Sequence, residues 1–119
     1  MVISKKAMEI ARILDDRKAS DILILDVEGS TIMADYFVIC SGNSNTQVRR
    51  LGEELEDELL KQGIERIRVE GLADGRWVVA DYGDVLVHIF HREERKFYDI
   101  ERLWKSGDNF LEYKGEETK

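Results

Sequence analysis

The chain has 119 residues, which fits a single domain, and 43% of them are hydrophobic, which is enough to form a core and excludes a disordered chain. Its 25 acidic and 18 basic residues give a formal net charge of −7. This balance argues against a protein that neutralises nucleic-acid phosphates or docks on anionic membranes, because both need a surplus of Lys and Arg. A basic protein partner and a cationic ligand remain open.

The sequence carries no sign of a membrane or secretory destination. Its longest apolar runs, 22–25 and 36–40, are far shorter than the roughly 20 residues of a membrane-spanning helix. The first residues contain neither a long apolar stretch nor a small-residue cleavage site. Cys40 is the single cysteine and cannot form an internal disulfide. We therefore predict a cytoplasmic protein with a buried thiol and no membrane partner.

The first half of the chain predicts a helix, two strands and a second helix. Residues 3–19 carry apolar side chains at helical spacing, and the aliphatic runs within 21–27 and 35–41 are typical of strands covered on both faces. Ser44 and Gln47 have the spacing of a capping box, so a helix is expected to begin there. Leucines at helical spacing follow, with acidic residues between them. Gly63 is the predicted end of this helix.

The second half predicts three strands and a last helix. The strands cover residues 66–70, 76–81 and 85–91, and Asp-Gly and Gly-Asp pairs between them predict hairpin turns. The last helix is expected at about 95–105, with Phe97 and Trp104 on its core-facing side.

The element order αββαβββα predicts an α/β (α+β) fold, a mixed five-stranded sheet with helices packed on its faces. The second strand, the capped helix and the third strand are expected to form a crossover. Residues 1–107 form one domain in this interpretation, and residues 108–119 form a polar C-terminal tail that is expected to fray.

Few residues have the pattern of a catalytic or metal site. The turn 41–44 between strand and helix could receive an anion on its backbone N–H groups, but it lacks known phosphate-loop spacing and also fits a simple turn with a helix cap. His88 and His91 should point to opposite faces of an extended strand, so a shared metal is not expected. His88 is either a hydrogen-bonded core histidine or a polar spot on a binding face. No cofactor is expected.

Acidic and aromatic residues come together around the last two hairpins. Asp81 and Asp84 flank a turn, and Glu70 lies on the neighbouring strand. Such carboxylates could bind metal or act as acid and base, but turn aspartates more often bond the local backbone. Trp77 and Tyr82 lie beside them, as interface anchors do, although Trp77 could equally be a core residue. The acidic run 53–58 is interpreted as a solvated helix face.

Several distinct short motifs follow one another along nearly the whole chain. Residues 35–42 read D-Y-F-V-I-C-S-G. Further motifs are Glu70-Gly71, Gly75-Arg76-Trp77-Val78, Asp81-Tyr82-Gly83-Asp84-Val85, Val87-His88-Ile89-Phe90, Arg95-Lys96-Phe97-Tyr98 and Leu103-Trp104. Together, over about residues 3–107, they resemble the ribosomal silencing factor family, also called the Iojap family.

This resemblance implies a nucleotidyltransferase-like fold in a protein that is not an enzyme. Members of the family bind the large ribosomal subunit through its universal protein fourteen, at the face that meets the small subunit. Their binding sterically blocks subunit joining and lowers translation when nutrients are scarce. An acidic domain fits a basic ribosomal protein and should be steered away from RNA, so no direct nucleic-acid contact is expected.

By match to the family motifs, the partner-binding surface is expected on the fourth and fifth strands. Trp77 would be its apolar anchor, and the acidic residues would meet Lys or Arg. The full expected set is Glu70, Trp77, Asp81, Tyr82, Asp84, His88 and Tyr98.

Two other functions remain open at this point. One is a minimal nucleotidyltransferase-like enzyme that uses the Ser41–Ser44 turn and nearby carboxylates, although no spaced D-x-[DE] pair follows that turn. The other is a homodimer whose self-association competes with the ribosome, because a sheet edge or hairpin could serve as its interface.

Overall fold

The structure is a computed structural model, and it describes residues 2–115. The described chain forms four helices and six strands in this order: α1 (Lys5–Asp16), β1 (Ser20–Asp26), β2 (Tyr36–Gly42), α2 (Asn45–Leu60), β3 (Arg68–Glu70), β4 (Trp77–Asp81), β5 (Val85–His91), α3 (Arg92–Tyr98), α4 (Ile100–Trp104) and β6 (Phe110–Glu112).

The strands form one mixed sheet in the order β3-β4-β5-β2-β1-β6. The central pair, β2 and β5, is parallel and runs in register from Tyr36 beside Val85 to Gly42 beside His91. The other neighbouring pairs are antiparallel. The predicted α/β class and mixed sheet are therefore confirmed.

Two details of the predicted topology are wrong. The sheet has six strands rather than five, because residues 110–112 pair antiparallel with β1 inside the segment predicted as a polar tail. The two apolar residues Phe110 and Leu111 are too few to stand out from their polar context, and only the exposed edge of β1 makes this segment a strand. The rest of the predicted tail, residues 116–119, lies outside the described residues. In addition, the parallel neighbour of β2 is β5, and β3 forms the sheet edge.

Helices α1 and α2 cover one side of the sheet, which we call the helix-covered face. Each helix has a serine cap, as the hydroxyl of Ser4 accepts from the Ala7 N–H and that of Ser44 accepts from the Gln47 N–H. The predicted start of α2 is thus confirmed, and the turn at Gly63, with φ +78°, follows its end. The buried residues beneath the two helices share near-zero exposure: Ala7, Ile10, Leu14, Val38, Cys40, Leu51, Leu55, Leu59, Val78, Val87 and Ile89.

The single cysteine lies in this core. Cys40 is fully buried and unpaired, and burial raises the pKa of its thiol to about 12. The predicted buried thiol is confirmed.

The other side of the sheet is covered only in part, by the short helices α3 and α4. The sequence predicts one helix at 95–105, but Asp99 adopts a left-handed conformation, with φ 46°, and divides it in two. Trp104 still packs against the sheet, whereas Phe97 is 78% exposed. The prediction that Phe97 belongs to the core is therefore wrong, because the break at Asp99 turns α3 away from the orientation that one continuous helix would have.

Within residues 2–115, no helix is both long enough and apolar enough to span a membrane.

Candidate protein-binding face

The side of the sheet opposite α1 and α2 has an uncovered part, which we call the open face. Side chains of paired residues on neighbouring strands lie on the same side of a sheet. The pairs Glu70–Val79, Arg68–Asp81 and Asp81–Leu86, together with Val79–His88 and Trp77–Phe90, therefore define one surface. The open face consists of Arg68, Glu70, Trp77, Val79, Asp81, Leu86 and His88, with Met33, Phe97 and Tyr98 at its margins.

Trp77 is the centre of an aromatic cluster on this face. Its ring stacks on Phe90, with 4.7 Å between the ring centroids, and lies 4.8 Å from the ring of Tyr98. Tyr98 in turn meets Phe97 edge to face at 4.9 Å. The cluster thus extends from a buried ring, Phe90, through half-buried Trp77 to two exposed rings. Aromatic side chains held in this way lose little conformational entropy on binding, which suits them to anchor a protein partner.

His88 lies below Trp77 and is nearly buried, at 6% exposure. The indole Nε1–H of Trp77 donates to His88 Nδ1 over 3.1 Å, so the neutral imidazole carries its proton on Nε2. Nε2 finds no hydrogen-bond partner among the described residues. Burial lowers the pKa of His88 to about 4, because the charged form would lose its hydration there. His88 is therefore a neutral support for Trp77 at physiological pH.

Helices α3 and α4 are held to the sheet by Arg95 and by the partly buried residues Ile100 and Trp104. The Arg95 guanidinium donates to the backbone oxygen of Asp21 over 2.7 Å and to Ser41 Oγ over 2.9 Å, and it pairs with Glu101 over 2.7 Å. This polar anchor adds to the packing of Trp104, whose ring meets that of Phe37 edge to face at 5.2 Å. Neither short helix contains a fully buried residue, and Phe97 and Leu103 are each 78% exposed.

The opposite end of the open face is a shallow depression of about 300 Å³, lined by Met33, Arg68, Glu70, Val79, Asp81 and Leu86. Its charges are mixed. Asp81 lies 3.6 Å from Arg68 and also accepts from the Gly83 N–H, whereas Glu70 is exposed and belongs to no ion pair in the described chain. The face therefore combines apolar and charged side chains, and Glu70 carries a negative charge that is not paired within the described chain.

The structure brings five of the seven predicted residues together. Glu70, Trp77, Asp81, His88 and Tyr98 lie on or at the open face.

Tyr82 and Asp84 lie elsewhere. Tyr82 is 2% exposed in the core under the helix-covered face, and its burial raises the pKa of the phenol to about 12. The prediction that it belongs to the binding surface is wrong, because the register of β4 places residues 78, 80 and 82 on the opposite side from Trp77. Asp84 pairs with Lys6 of α1 at 2.9 Å and therefore also lies away from the open face.

The turn at residues 41–44 uses its hydroxyls for structural bonds. Ser41 is buried and accepts from Arg95, and Ser44 caps α2. Within residues 2–115, no group of three or more His, Cys, Asp or Glu side chains is placed to hold a metal ion. The turn therefore fits the simpler of the two interpretations drawn from the sequence, a turn with a helix cap.

Several exposed apolar residues on or near this surface were not predicted to belong to it, namely Met33, Val79, Leu86, Phe97 and Leu103. A signal for two of them exists. Alternation along β4 and β5 pairs Val79 with Trp77 and Leu86 with His88 on one face. The exposure of Phe97 and Leu103 depends on the break at Asp99, which no motif indicates.

Solved structures place this architecture in a defined class. A crystal structure of a protein from Chromobacterium violaceum matches with a TM-score of 0.81 at 32% identity, covering 91% of this chain and 92% of that one. A crystal structure from Bacillus halodurans matches with a TM-score of 0.79 at 39% identity and covers 92% of this chain and all of that one. The fold is thus a known α/β class with a single mixed sheet.

Sequence comparison identifies the family. The model of the family described as ribosomal silencing factor during starvation matches residues 2–119. The ribosomal silencing factor RsfS of Bacillus subtilis is 49% identical over 90 residues, 76% of each chain. The chloroplastic protein Iojap of Arabidopsis thaliana is 30% identical over 98 residues, which are 82% of this chain and 41% of that protein. The chain belongs to the ribosomal silencing factor family, and the resemblance stated from its motifs is confirmed.

Proposed function

We propose that the protein lowers translation by binding the large ribosomal subunit through its universal protein fourteen and obstructing the joining of the small subunit. The observation that carries this proposal is the open face, an aromatic surface centred on Trp77 and left uncovered by α3 and α4. Membership of a family named for ribosomal silencing supports the ribosome as the partner.

Occupancy is the mechanism that the residues support. The open face has features of a protein interface, with an aromatic cluster at one end and charged side chains at the other. A bound domain whose principal extents are 34 × 34 × 31 Å would fill the space that the approaching subunit needs. No catalytic step is required, and we place the action in the cytoplasm, where subunits join.

Charge complementarity favours a basic ribosomal protein as the direct contact. The chain carries a net charge of −7, so it should be steered towards a basic partner and associate faster at low salt. Glu70 is the exposed acid at the margin of the open face and is placed to meet Lys or Arg.

The test is co-sedimentation of the purified protein with isolated large and small subunits. We expect the wild-type chain to pellet with large subunits only. Phe97→Ser should bind at least about tenfold more weakly, because it removes an exposed ring of the aromatic cluster. Leu60→Ser is the matched control, since Leu60 is 48% exposed at the end of α2 on the helix-covered side.

Two results would contradict the proposal. One is sedimentation with small subunits or with neither subunit. The other is full formation of joined ribosomes, followed by light scattering, in the presence of saturating protein.

We also propose that the free protein forms a homodimer through the open face, because an apolar surface of this kind tends to be covered in solution. Mass measurement across a range of concentrations should show a dimer for the wild type and a shift towards monomer for Phe97→Ser. A wild type that stays monomeric at every concentration would exclude the dimer and leave ribosome binding unaffected.

A further inference from the structure

The basic residues of this acidic protein are unevenly placed. Residues 36–52 contain no Asp or Glu, although the chain has 25 acidic residues, and the same segment contains Arg49 and Arg50. It includes the end of β2 and the first half of α2. This segment therefore lacks the negative charge that the overall composition reports, although Asp21, Asp99 and Glu101 share a depression with Arg92 at its margin.

The fold brings basic residues from two helices and two loops to this corner of the molecule. The Arg92 guanidinium donates to Asn43 Oδ1 over 3.3 Å, just before α2. The Arg49 side chain lies against Gly75, where an added Cβ would stand 3.1 Å from Arg49 Cγ. Two further backbone contacts complete the set: the carbonyl of Arg76 accepts from the His91 N–H over 2.8 Å, and the carbonyl of Lys18 accepts from Gln47 Nε2 over 3.2 Å. We call Lys18, Arg49, Arg76 and Arg92 the basic corner.

These four cations have no acidic partner within ion-pair distance in the described chain, whereas most of the other arginines do. Within residues 2–115, the ion pairs within 4.0 Å engage Arg12, Arg17, Arg66, Arg68 and Arg95, but none engages a member of the basic corner. Lys18, Arg76 and Arg92 are exposed, and Arg49 is half-buried. Their charges are therefore available to a ligand rather than neutralised by the fold.

The basic corner adjoins the open face. Arg76 directly precedes Trp77, and Arg92 begins α3, which carries Phe97 and Tyr98. If a partner covers the aromatic cluster, the molecules next to that partner will lie against these cations. On a ribosomal subunit, those molecules include RNA.

We propose that the basic corner binds the phosphate backbone of ribosomal RNA beside the protein contact. This inference rests on the proposed function and adds a second, chemically different contact to it. Arginine is suited to phosphate because its planar guanidinium presents several N–H donors in a fixed fork. This proposal differs from the expectation, drawn from net charge, that there is no direct nucleic-acid contact.

Because the rest of the protein is negatively charged, the RNA contact should form only after the protein has docked on the subunit. With a net charge of −7, the free chain should bind RNA weakly, because most of its surface repels phosphate. Once the open face is bound, the basic corner meets phosphate at a high effective concentration. The RNA contact then fixes the orientation of the domain on the subunit.

The experiment measures binding to purified large subunits and to isolated universal protein fourteen at several salt concentrations. The test variant is Arg49→Gln with Arg76→Gln and Arg92→Gln. The matched control is Lys5→Gln with Arg12→Gln and Lys61→Gln, which makes the same change in charge on α1 and after α2. Circular dichroism checks folding, and the double variant R76Q/R92Q replaces the triple one if the loss of Arg49 packing perturbs the fold.

We expect the test variant to bind subunits about tenfold more weakly than the control near physiological salt. The slope of log affinity against log salt concentration should also be shallower, by the amount that about two to three phosphate contacts contribute. Its affinity for the isolated protein should equal that of the control. A photo-crosslinker in place of Arg76 should label RNA in the complex.

Three results would overturn the inference. The first is equal binding of test and control variants to subunits, and the second is crosslinking at position 76 to ribosomal protein alone. The third comes from a parallel measurement with anionic phosphatidylserine vesicles. If the test variant loses affinity for the vesicles and not for subunits, the corner is assigned to membranes. A wild type that binds no large subunit contradicts the proposed function instead, so the two failures are distinguishable.

Discussion

The two sides of the sheet differ in how they are covered. The helix-covered face lies under helices of 12 and 16 residues, whereas the other side carries helices of 7 and 5 residues that contain no buried side chain. Long amphipathic helices bury a continuous apolar stripe, and short ones cannot. The helix-covered face therefore holds the larger core cluster. The other side holds a smaller one, around Phe37, Ile39 and Phe90, and leaves the aromatic surface that binding requires uncovered.

A single strand shows how one sequence serves both sides. In β4, Val78 and Ala80 are fully buried under α2, while Val79 and Trp77 on the other side stay half-exposed. Alternation of side chains along the strand separates the two roles within a few residues. Substitutions under the long helices should therefore mainly lower stability, and substitutions on the open face should mainly weaken binding.

The largest expected effect is on the stability of the helix-covered face. Leu55 is fully buried between α2 and the sheet, so Leu55→Ala should lower the free energy of unfolding by about 2–5 kcal/mol. On the other side, Phe97→Ala should change it by less than about 1 kcal/mol, because that ring is 78% exposed. Urea denaturation of both variants measures this. Similar losses for both would remove the difference between the two sides.

The next effect follows from the burial of His88. Its pKa is about 4 in the folded chain against about 6.5 when unfolded, so the unfolded state binds the proton more readily. Full stability is present above about pH 6.5 and is lost progressively as the pH falls towards 4, by about 3 kcal/mol in all. Denaturation across this range checks the loss.

The control for that titration is His88→Gln, which keeps a polar group beside Trp77 but cannot be protonated there. The wild type should lose more stability than this variant between pH 6.5 and 4, since other titrating groups are common to both. Parallel curves for the two proteins would show that His88 does not titrate with folding.

Much of this architecture follows from the sequence, for identifiable reasons. Strong local signals, such as the Ser44 cap and the aliphatic runs of β1 and β2, predict elements that the structure confirms. The failures are places where tertiary contacts decide. Only pairing with β1 makes residues 110–112 a strand, and only strand register decides that Tyr82 faces the core while Trp77 faces out.

The third effect is on binding alone. Tyr98 packs on Trp77 yet is 47% exposed, so Tyr98→Ala should weaken binding to large subunits by about 2 kcal/mol, more than tenfold. The free energy of unfolding should change by less than about 1 kcal/mol. Sedimentation or surface-based titration gives the affinity, and urea denaturation gives the stability. Equal losses in both measurements would mean that Tyr98 belongs to the core.

The smallest expected effect distinguishes Glu70 from Asp84, two acidic residues that were both predicted to belong to the binding surface. Glu70 lies on the open face, whereas Asp84 pairs with Lys6 of α1 away from it. Both substitutions, Glu70→Lys and Asp84→Lys, reverse one charge, so their long-range effects on the net charge are equal. Local steering depends on position within about one Debye length, roughly 10 Å at 0.1 M salt. Glu70→Lys should therefore slow association with large subunits by a few-fold at low salt.

Stopped-flow measurement of association at several salt concentrations distinguishes the two acids. Asp84→Lys should associate at close to the wild-type rate, although it loses the pair with Lys6 and up to about 1 kcal/mol of stability. The difference between the variants should shrink as salt is added, because the charges concerned are exposed. If both variants slow association equally, net charge alone steers the protein. The position of Glu70 on the open face would then have no part in recognition, and the aromatic cluster would provide specificity without help from its margin.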